Sequence, residues 1–200
     1  MAEKRFTTNR LEAFSDGVIA VIITIMVLEL KIPHEDGLPG LLILAPILFI
    51  YLLSFTFTGI YWINHHHLVS RIEKADTRVL YANLAFLFCA SLLPFFTSYV
   101  IEKKVDSFSV ALYAASMIVT GFSFLLLRLA IDRLLKLTDE LQQEDIGTQR
   151  KHYTSLALYA ISIPLAHFHP YLALATITLV TAVWIVPTTK TEPSIHHPFS

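Results

Sequence analysis

The stretch Arg10 to Leu30, RLEAFSDGVIAVIITIMVLEL, constrains the chain more than any other. An arginine, a Phe-Ser-Asp triplet and a glycine open it. It then runs apolar through Leu28, interrupted only by Thr24. Ionisable groups at the mouth of a membrane-grade segment are costly there and tend to mark function. Read as a helix at about 100° per residue, Gly17, Val21, Thr24 and Leu28 fall within roughly 60° of one another. Asp16, Ala20, Ile23 and Val27 form a second stripe, well away from the first. If copies of the first face met on an axis, they would enclose a narrow apolar tube with one ring of hydroxyls. The carboxylate would point back into each subunit's own bundle.

Composition agrees with a membrane setting. Of 200 residues, 54% are hydrophobic and 16% charged, against about 25% charged in soluble domains. A net charge of -1 gives no reason to expect a nucleic-acid partner. The single cysteine, Cys89, sits in an apolar run, so an intramolecular disulfide is excluded. Asp16 interrupts the N-terminal region before any apolar stretch and no small-x-small site follows, so the first helix is expected to be retained rather than cleaved.

Six spans can be drawn, at about 12–32, 41–67, 79–101, 108–132, 153–168 and 171–188. A spanning helix needs about 20 residues, so the last two are short. Pro94 and Pro164 are expected to kink their helices. The polar stretch Asp132 to Lys151 is expected to extend the fourth helix and then turn near Gly147. With the N-terminus inside, twelve of the fifteen lysines and arginines fall on inner segments, and Lys31, Lys103 and Lys104 fall outside. That bias predicts a multi-pass protein of the cell membrane with both termini cytoplasmic. The expected fold is all-α: one six-helix transmembrane domain over 1–190, its first helix lining a central pore in a homo-oligomer, and a short disordered tail over 191–200.

Antiparallel neighbours share depth at their ends. Asp16 on the first span, Trp62, Asn64, His65 and His66 on the second, and Asn83 on the third can therefore meet in one cytoplasmic layer. A buried carboxylate needs donors, and Arg10, Asn64, the Trp62 indole and the histidines can supply them. Three consecutive histidines point about 100° apart and cannot all reach one ion from one helix. With no HExxH and no cysteine partner, no metal site is expected. His67 reads equally well as an interfacial cap, and Thr24 alone reads as a threonine bonded back to its own helix.

Arg10-x-x-x-Phe14-Ser15-Asp16-Gly17, followed by an apolar run with Thr24 and Leu28, resembles the signature of the transmembrane protein 175 family of potassium channels. The Trp62-x-Asn64-His65-His66 ending of the second helix and the six-span layout are also similar, and the resemblance covers residues 5 to 190. It implies a prokaryotic member with one six-helix unit, assembling as a homotetramer around the first helices. It implies an apolar constriction at Val21 and Leu28, with Ile25 close by, in place of a carbonyl filter. It gives Thr24 the hydroxyl position linked to potassium preference. Arg10, Phe14, Ser15 and Asp16 map to a structural network. The family more often has a larger aliphatic residue at the place of Val21.

The expected function is passive conduction of monovalent cations with a preference for potassium. The ion is the permeant species, and no cofactor is expected. Acidic outer residues Glu29, Glu35 and Asp36, repeated around the axis, would enrich cations at the mouth. One alternative is a proton-coupled transporter or proton-conducting channel using Asp16 and His65 or His66. Inverted repeats and broken helices at the midplane, the marks of transporters, are not evident in the first span. An intramembrane enzyme built on Ser15, Asp16 and His65 lacks an identifiable oxyanion site.

Overall fold

The computed structural model describes residues 6–137 and 146–185. The chain is a helical bundle whose elements follow in the order β1 (Phe6–Thr7), α1 (Thr8–Leu28), α2 (Gly37–Val69), β2 (Lys74–Ala75), α3 (Thr77–Ser91), α4 (Leu93–Glu102), α5 (Ser107–Leu137), α6 (Ile146–Phe168) and α7 (Pro170–Ile185). In an apolar solvent every backbone polar group must be satisfied within the segment, and these Leu-, Ile-, Val- and Phe-rich stretches have helix as their only open-chain solution.

Among the described residues, four spans are long and apolar enough to cross a membrane: Thr8–Leu28, Gly37–Val69, Thr77–Glu102 and Ser107–Lys136. Helix α7 is a shorter apolar helix. Helix α6 has 23 residues, because it begins before the polar Arg150-Lys151-His152 and not after it, as expected. Gly147 lies in its first turn. The connection from α5, at 138–145, lies outside the described residues, as does the tail at 191–200.

Helix α1 ends earlier than expected, at Leu28 and not near residue 32. Pro33 disfavours helix at Ile32, and the chain from Leu30 to Asp36 forms a loop. Gly37 starts α2 at a φ of +73°, a left-handed conformation that glycine adopts without strain. Three residues on, Gly40 presses so closely on the Glu35 carbonyl that an added Cβ would overlap it. The third span is two helices rather than one kinked helix. The break falls at Leu92, with Pro94 in the first turn of α4. Proline has no N–H to bond the carbonyl four residues back, and its ring collides with that carbonyl. Asp76 caps α3 through a bond from the Val79 N–H at 2.8 Å.

Packing divides into two cores. Helices α1, α3 and α5 and the C-terminal end of α2 share one, around Ile22, Met26, Phe86, Leu127 and Ile131. Helices α2, α4, α5, α6 and α7 share the other, around Phe57, Leu93, Tyr113, Met117 and Ile177. Tyr61 packs against both. In the second core, Ser54 Oγ lies 2.8 Å from Thr97 Oγ1 and 2.7 Å from the Tyr113 hydroxyl, tying α2, α4 and α5 together at depth. Such hydroxyl bonds are the usual glue between helices where lipid offers no partner.

Candidate functional site

Helix α1 has two opposite faces. Leu11, Ser15, Ile19, Ile22 and Met26 are buried in the bundle. Val21, Ile25 and Leu28, on the far side, are 55%, 42% and 75% exposed. Gly17 and Thr24 are exposed beside them. A helix buried on one face and apolar on the other needs something apolar against its second face. The Thr24 hydroxyl donates to the Ala20 carbonyl at 2.8 Å. Its one proton is therefore used, and its oxygen lone pairs remain free to face outward.

Behind the apolar face, the N-terminal end of α1 is fixed to α2 and α3 by three contacts. The deepest is a chain of buried bonds. The Ser15 hydroxyl donates to the Leu11 carbonyl at 2.8 Å. It accepts from Asn83 Nδ2 at 2.9 Å. Asn83 Oδ1 lies 2.8 Å from His65 Nε2. Since that amide oxygen can only accept, Nε2 carries the proton in this arrangement. Donation then runs one way, from α2 through α3 into the backbone of α1. Ser15, His65 and Asn83 are at most 3% exposed. The Phe86 ring stacks on His65 at 5.9 Å between centroids, and His65 Nδ1 is buried with no hydrogen-bond partner among the described residues.

The second contact is nearer the surface. Trp62 Nε1 donates to Asp16 Oδ1 at 2.9 Å. The third is more exposed still: His66 Nδ1 lies 2.6 Å from Glu12 Oε1. Glu12 pairs with His66 and Asp16 with Trp62, so sequence numbers rise on α1 as they fall on α2. The two helices are antiparallel, each contact one turn from the next. At the strand-paired end, Phe6 and Thr7 lie opposite Ala75 and Lys74. The Thr8 N–H there donates to the Glu73 carbonyl at 3.3 Å, serving one of the donors a helix start leaves open. At the opposite end, Lys31 Nζ reaches Glu102 Oε1 at 2.8 Å. The Ser98 hydroxyl donates to Glu29 Oε2 at 3.2 Å. Hydrogen bonding to Glu102 raises the Lys31 ammonium above the usual lysine range.

The structure thus brings together Ser15, Asp16, Trp62, His65, His66 and Asn83. It does not bring in Arg10, Phe14 or Asn64. Asn64 Nδ2 donates to the Ile60 carbonyl of its own helix at 2.8 Å. Arg10 is exposed and makes no hydrogen bond or ion pair among the described residues, and Phe14 is 54% exposed. The reason is angular. At about 100° per residue, Arg10 and Phe14 share the face of Val21 and Leu28, not that of Ser15. Glu12 was missed from sequence. Its position four residues before Asp16, on the same side of α1, was the available signal.

With Asp16→Ala, the Trp62 indole loses a half-exposed acceptor. A loss of about 1 kcal/mol and a lower yield of assembled protein are expected, read by size-exclusion chromatography and thermal unfolding in detergent. Wild-type assembly and stability in that variant would count against a fixing role for this contact.

Comparison with known proteins follows the same residues. The family model described as endosomal/lysosomal potassium channel TMEM175 matches residues 10–94. A potassium channel of Chryseobacterium sp. (strain P1-3) is 38% identical over 189 residues, covering 94% of this chain and 98% of that protein. The chain belongs to the TMEM175 family. A potassium channel of Chamaesiphon minutus is 29% identical over 195 residues, covering 92% of this chain and 95% of its own. A crystal structure of a lysosomal potassium-selective channel TMEM175 homologue from the same organism superposes with a TM-score of 0.75 at 25% identity, covering 89% of this chain and 96% of that one. The Danio rerio relative, named an endosomal/lysosomal proton channel, is 26% identical over 163 residues; the match covers 78% of this chain and 31% of that protein. These relatives are channels, and the enzyme alternative falls with them.

Proposed function

We propose that this TMEM175-family chain is a potassium-preferring cation channel in the cell membrane, conducting passively. One observation carries the reading: the face of α1 bearing Gly17, Val21, Thr24 and Leu28 is left open by the chain's own bundle, while the opposite face is buried. Copies of that face meeting on an axis make the pore. Four copies, the number the family resemblance implies, bring Val21, Ile25 and Leu28 into an apolar collar that resists wetting and sets the barrier. The Thr24 oxygens replace part of an ion's water as it passes. The lysine and arginine bias supports a cytoplasmic position for both termini. Ser15, Asp16, Trp62, His65, His66 and Asn83 act behind the pore as the structural network that fixes α1. Residues 1–190 are read as one channel domain, with potassium as the permeant species and no cofactor.

Reversal potentials of the protein in liposomes or patches under a potassium–sodium gradient test this. A shift toward the potassium potential is expected. Thr24→Val, which keeps shape and removes the oxygen, is expected to bring the permeability ratio down several-fold toward unity. Equal permeabilities in the wild type defeat the role given to Thr24, and absence of any current defeats the channel.

Proton conduction is the second reading. The animal relatives named proton channels favour it, together with a layer of titratable groups, Glu12, Asp16 and His66, beside the inner end of α1. A reversal potential that follows the proton gradient when potassium is symmetrical would select it.

A further inference from the structure

Two side chains from different helices converge on Gly121 of α5. His152 Nε2, on α6, lies 3.1 Å from the Gly121 carbonyl. The Tyr61 hydroxyl, on α2, comes so close that a Cβ added to Gly121 would stand 2.8 Å from it. The carbonyl can only accept, so Nε2 carries the proton and Nδ1 of the neutral ring is left as an acceptor. His152 is 4% exposed. Its Nδ1 and the Tyr61 hydroxyl have no hydrogen-bond partner among the described residues. Asn64, three residues along α2 from Tyr61, spends its Nδ2 on the Ile60 carbonyl and leaves Oδ1 unpaired. Tyr61, Asn64 and His152 line one cavity of about 10 Å³, with Ser155 and Trp184 in its wall. Trp184 Nε1 donates to Ser155 Oγ at 2.7 Å, and Ser155 Oγ donates to the Lys151 carbonyl at 2.7 Å. Neither of those two has a proton to offer the cavity.

We propose that this cavity is a binding site for one water molecule, which Tyr61, Asn64 and His152 hold and which joins α2 to α6. The size fits, since one water needs roughly 10–15 Å³. The chemistry fits as well. A water has two protons to give and accepts in return. Asn64 Oδ1 and His152 Nδ1 accept, and the Tyr61 hydroxyl donates. Three bonds is the usual number for a buried water, and the same three groups left without a partner would each cost stability. Potassium or ammonium is of similar size but brings a charge, and no carboxylate lines the cavity to balance it. The site also supplies a link that the helices lack. Among the described residues no hydrogen bond runs directly from α2 to α6 or α7. Helix α6 is bonded to α7 through Trp184 and Lys151, and to α5 through His152. The water adds a polar tie from α6 to the helix that carries Trp62 and His65. No residue of α1 lines the cavity, so the inference stands apart from the reading of the pore.

The test uses the full chain in detergent or nanodiscs. A density map fine enough to show ordered waters is expected to hold a peak within about 3.2 Å of Tyr61 Oη, Asn64 Oδ1 and His152 Nδ1. The peak is expected in sodium and in potassium salt alike. A peak that needs potassium or ammonium marks a cation, and a map that shows other buried waters and none here marks no site; either overturns the proposal. Thermal unfolding is an independent readout. Tyr61→Phe and Asn64→Leu are each expected to lower the midpoint by about 3 °C. Both serve the same water, so the double variant is expected to fall little further than either single one. Losses that add to about 6 °C, or no loss in Tyr61→Phe, overturn the shared water. Tyr153→Phe, at an exposed tyrosine of α6, is expected to leave the midpoint unchanged and sets the baseline for removing a hydroxyl.

Discussion

Replacing Leu28 by asparagine is expected to raise the resting potassium current at least about tenfold, the change a barrier lowered by ~1.4 kcal/mol produces. In the proposed assembly Leu28 sits on the axis, and it is 75% exposed in the single chain. An apolar ring holds water out by offering it no partner, and that dewetting is the barrier to an ion. Four amides in place of four isobutyl groups supply donors and acceptors around the narrowest point, and the column of water closes. The fold should hardly notice, because Leu28 makes little contact with its own bundle. The measurement is single-channel or macroscopic potassium current normalised to protein, with thermal unfolding as the control. An unchanged current with unchanged stability would move the constriction away from Leu28. A variant that unfolds would show that this face packs within the protomer after all.

Asn83→Ala is expected to be the most damaging single change in the protomer, lowering stability by about 3 kcal/mol. The amide serves two buried groups at once. It donates to Ser15 Oγ at 2.9 Å and accepts from His65 Nε2 at 2.8 Å. Truncation leaves the imidazole N–H without an acceptor at a site that is closed to water, on a ring whose Nδ1 already has no hydrogen-bond partner. Asn83→Asp is not a rescue. A carboxylate cannot donate to Ser15, and burying it adds a charge to a site with no cation beside it among the described residues. Thermal unfolding in detergent reads both variants, and a loss below about 1 kcal/mol for the alanine would show that the three residues are neighbours without being partners.

Much of this was legible in the sequence, for reasons particular residues make plain. The open face of α1 came from the 100° step alone, but the buried face did not: it is Leu11, Ser15, Ile19, Ile22 and Met26, not the stripe of Asp16, Ala20, Ile23 and Val27, of which Ala20 and Val27 are exposed. The layer joining Asp16 to Trp62, His65, His66 and Asn83 came from antiparallel depth, since short connections force neighbouring ends to coincide, whereas Ser15 came only from the family resemblance. The errors came where a motif replaced geometry. Arg10 and Phe14 belong to the same linear pattern as Ser15 and Asp16, yet the wheel sets them on the open face. Asn64 was grouped by shared depth, and depth does not say which way a side chain faces around its helix; its Nδ2 bonds the Ile60 carbonyl of α2. Glu12 escaped because an acidic residue near a helix start is ordinary, and its significance needs His66 of another helix. The division of the third span at Leu92 was invisible for a different reason. Pro94 signals a disturbance in the backbone, but its neighbours decide if the result is a bend or a cut.

That cut has a mechanical consequence. The inner piece, α3, holds α1 by Asn83, and the outer piece, α4, holds it by Ser98 and Glu102. A continuous rod would carry both grips rigidly. Two rods with a joint between them give the two ends of α1 separate supports, so a shift at one grip need not be passed on to the other.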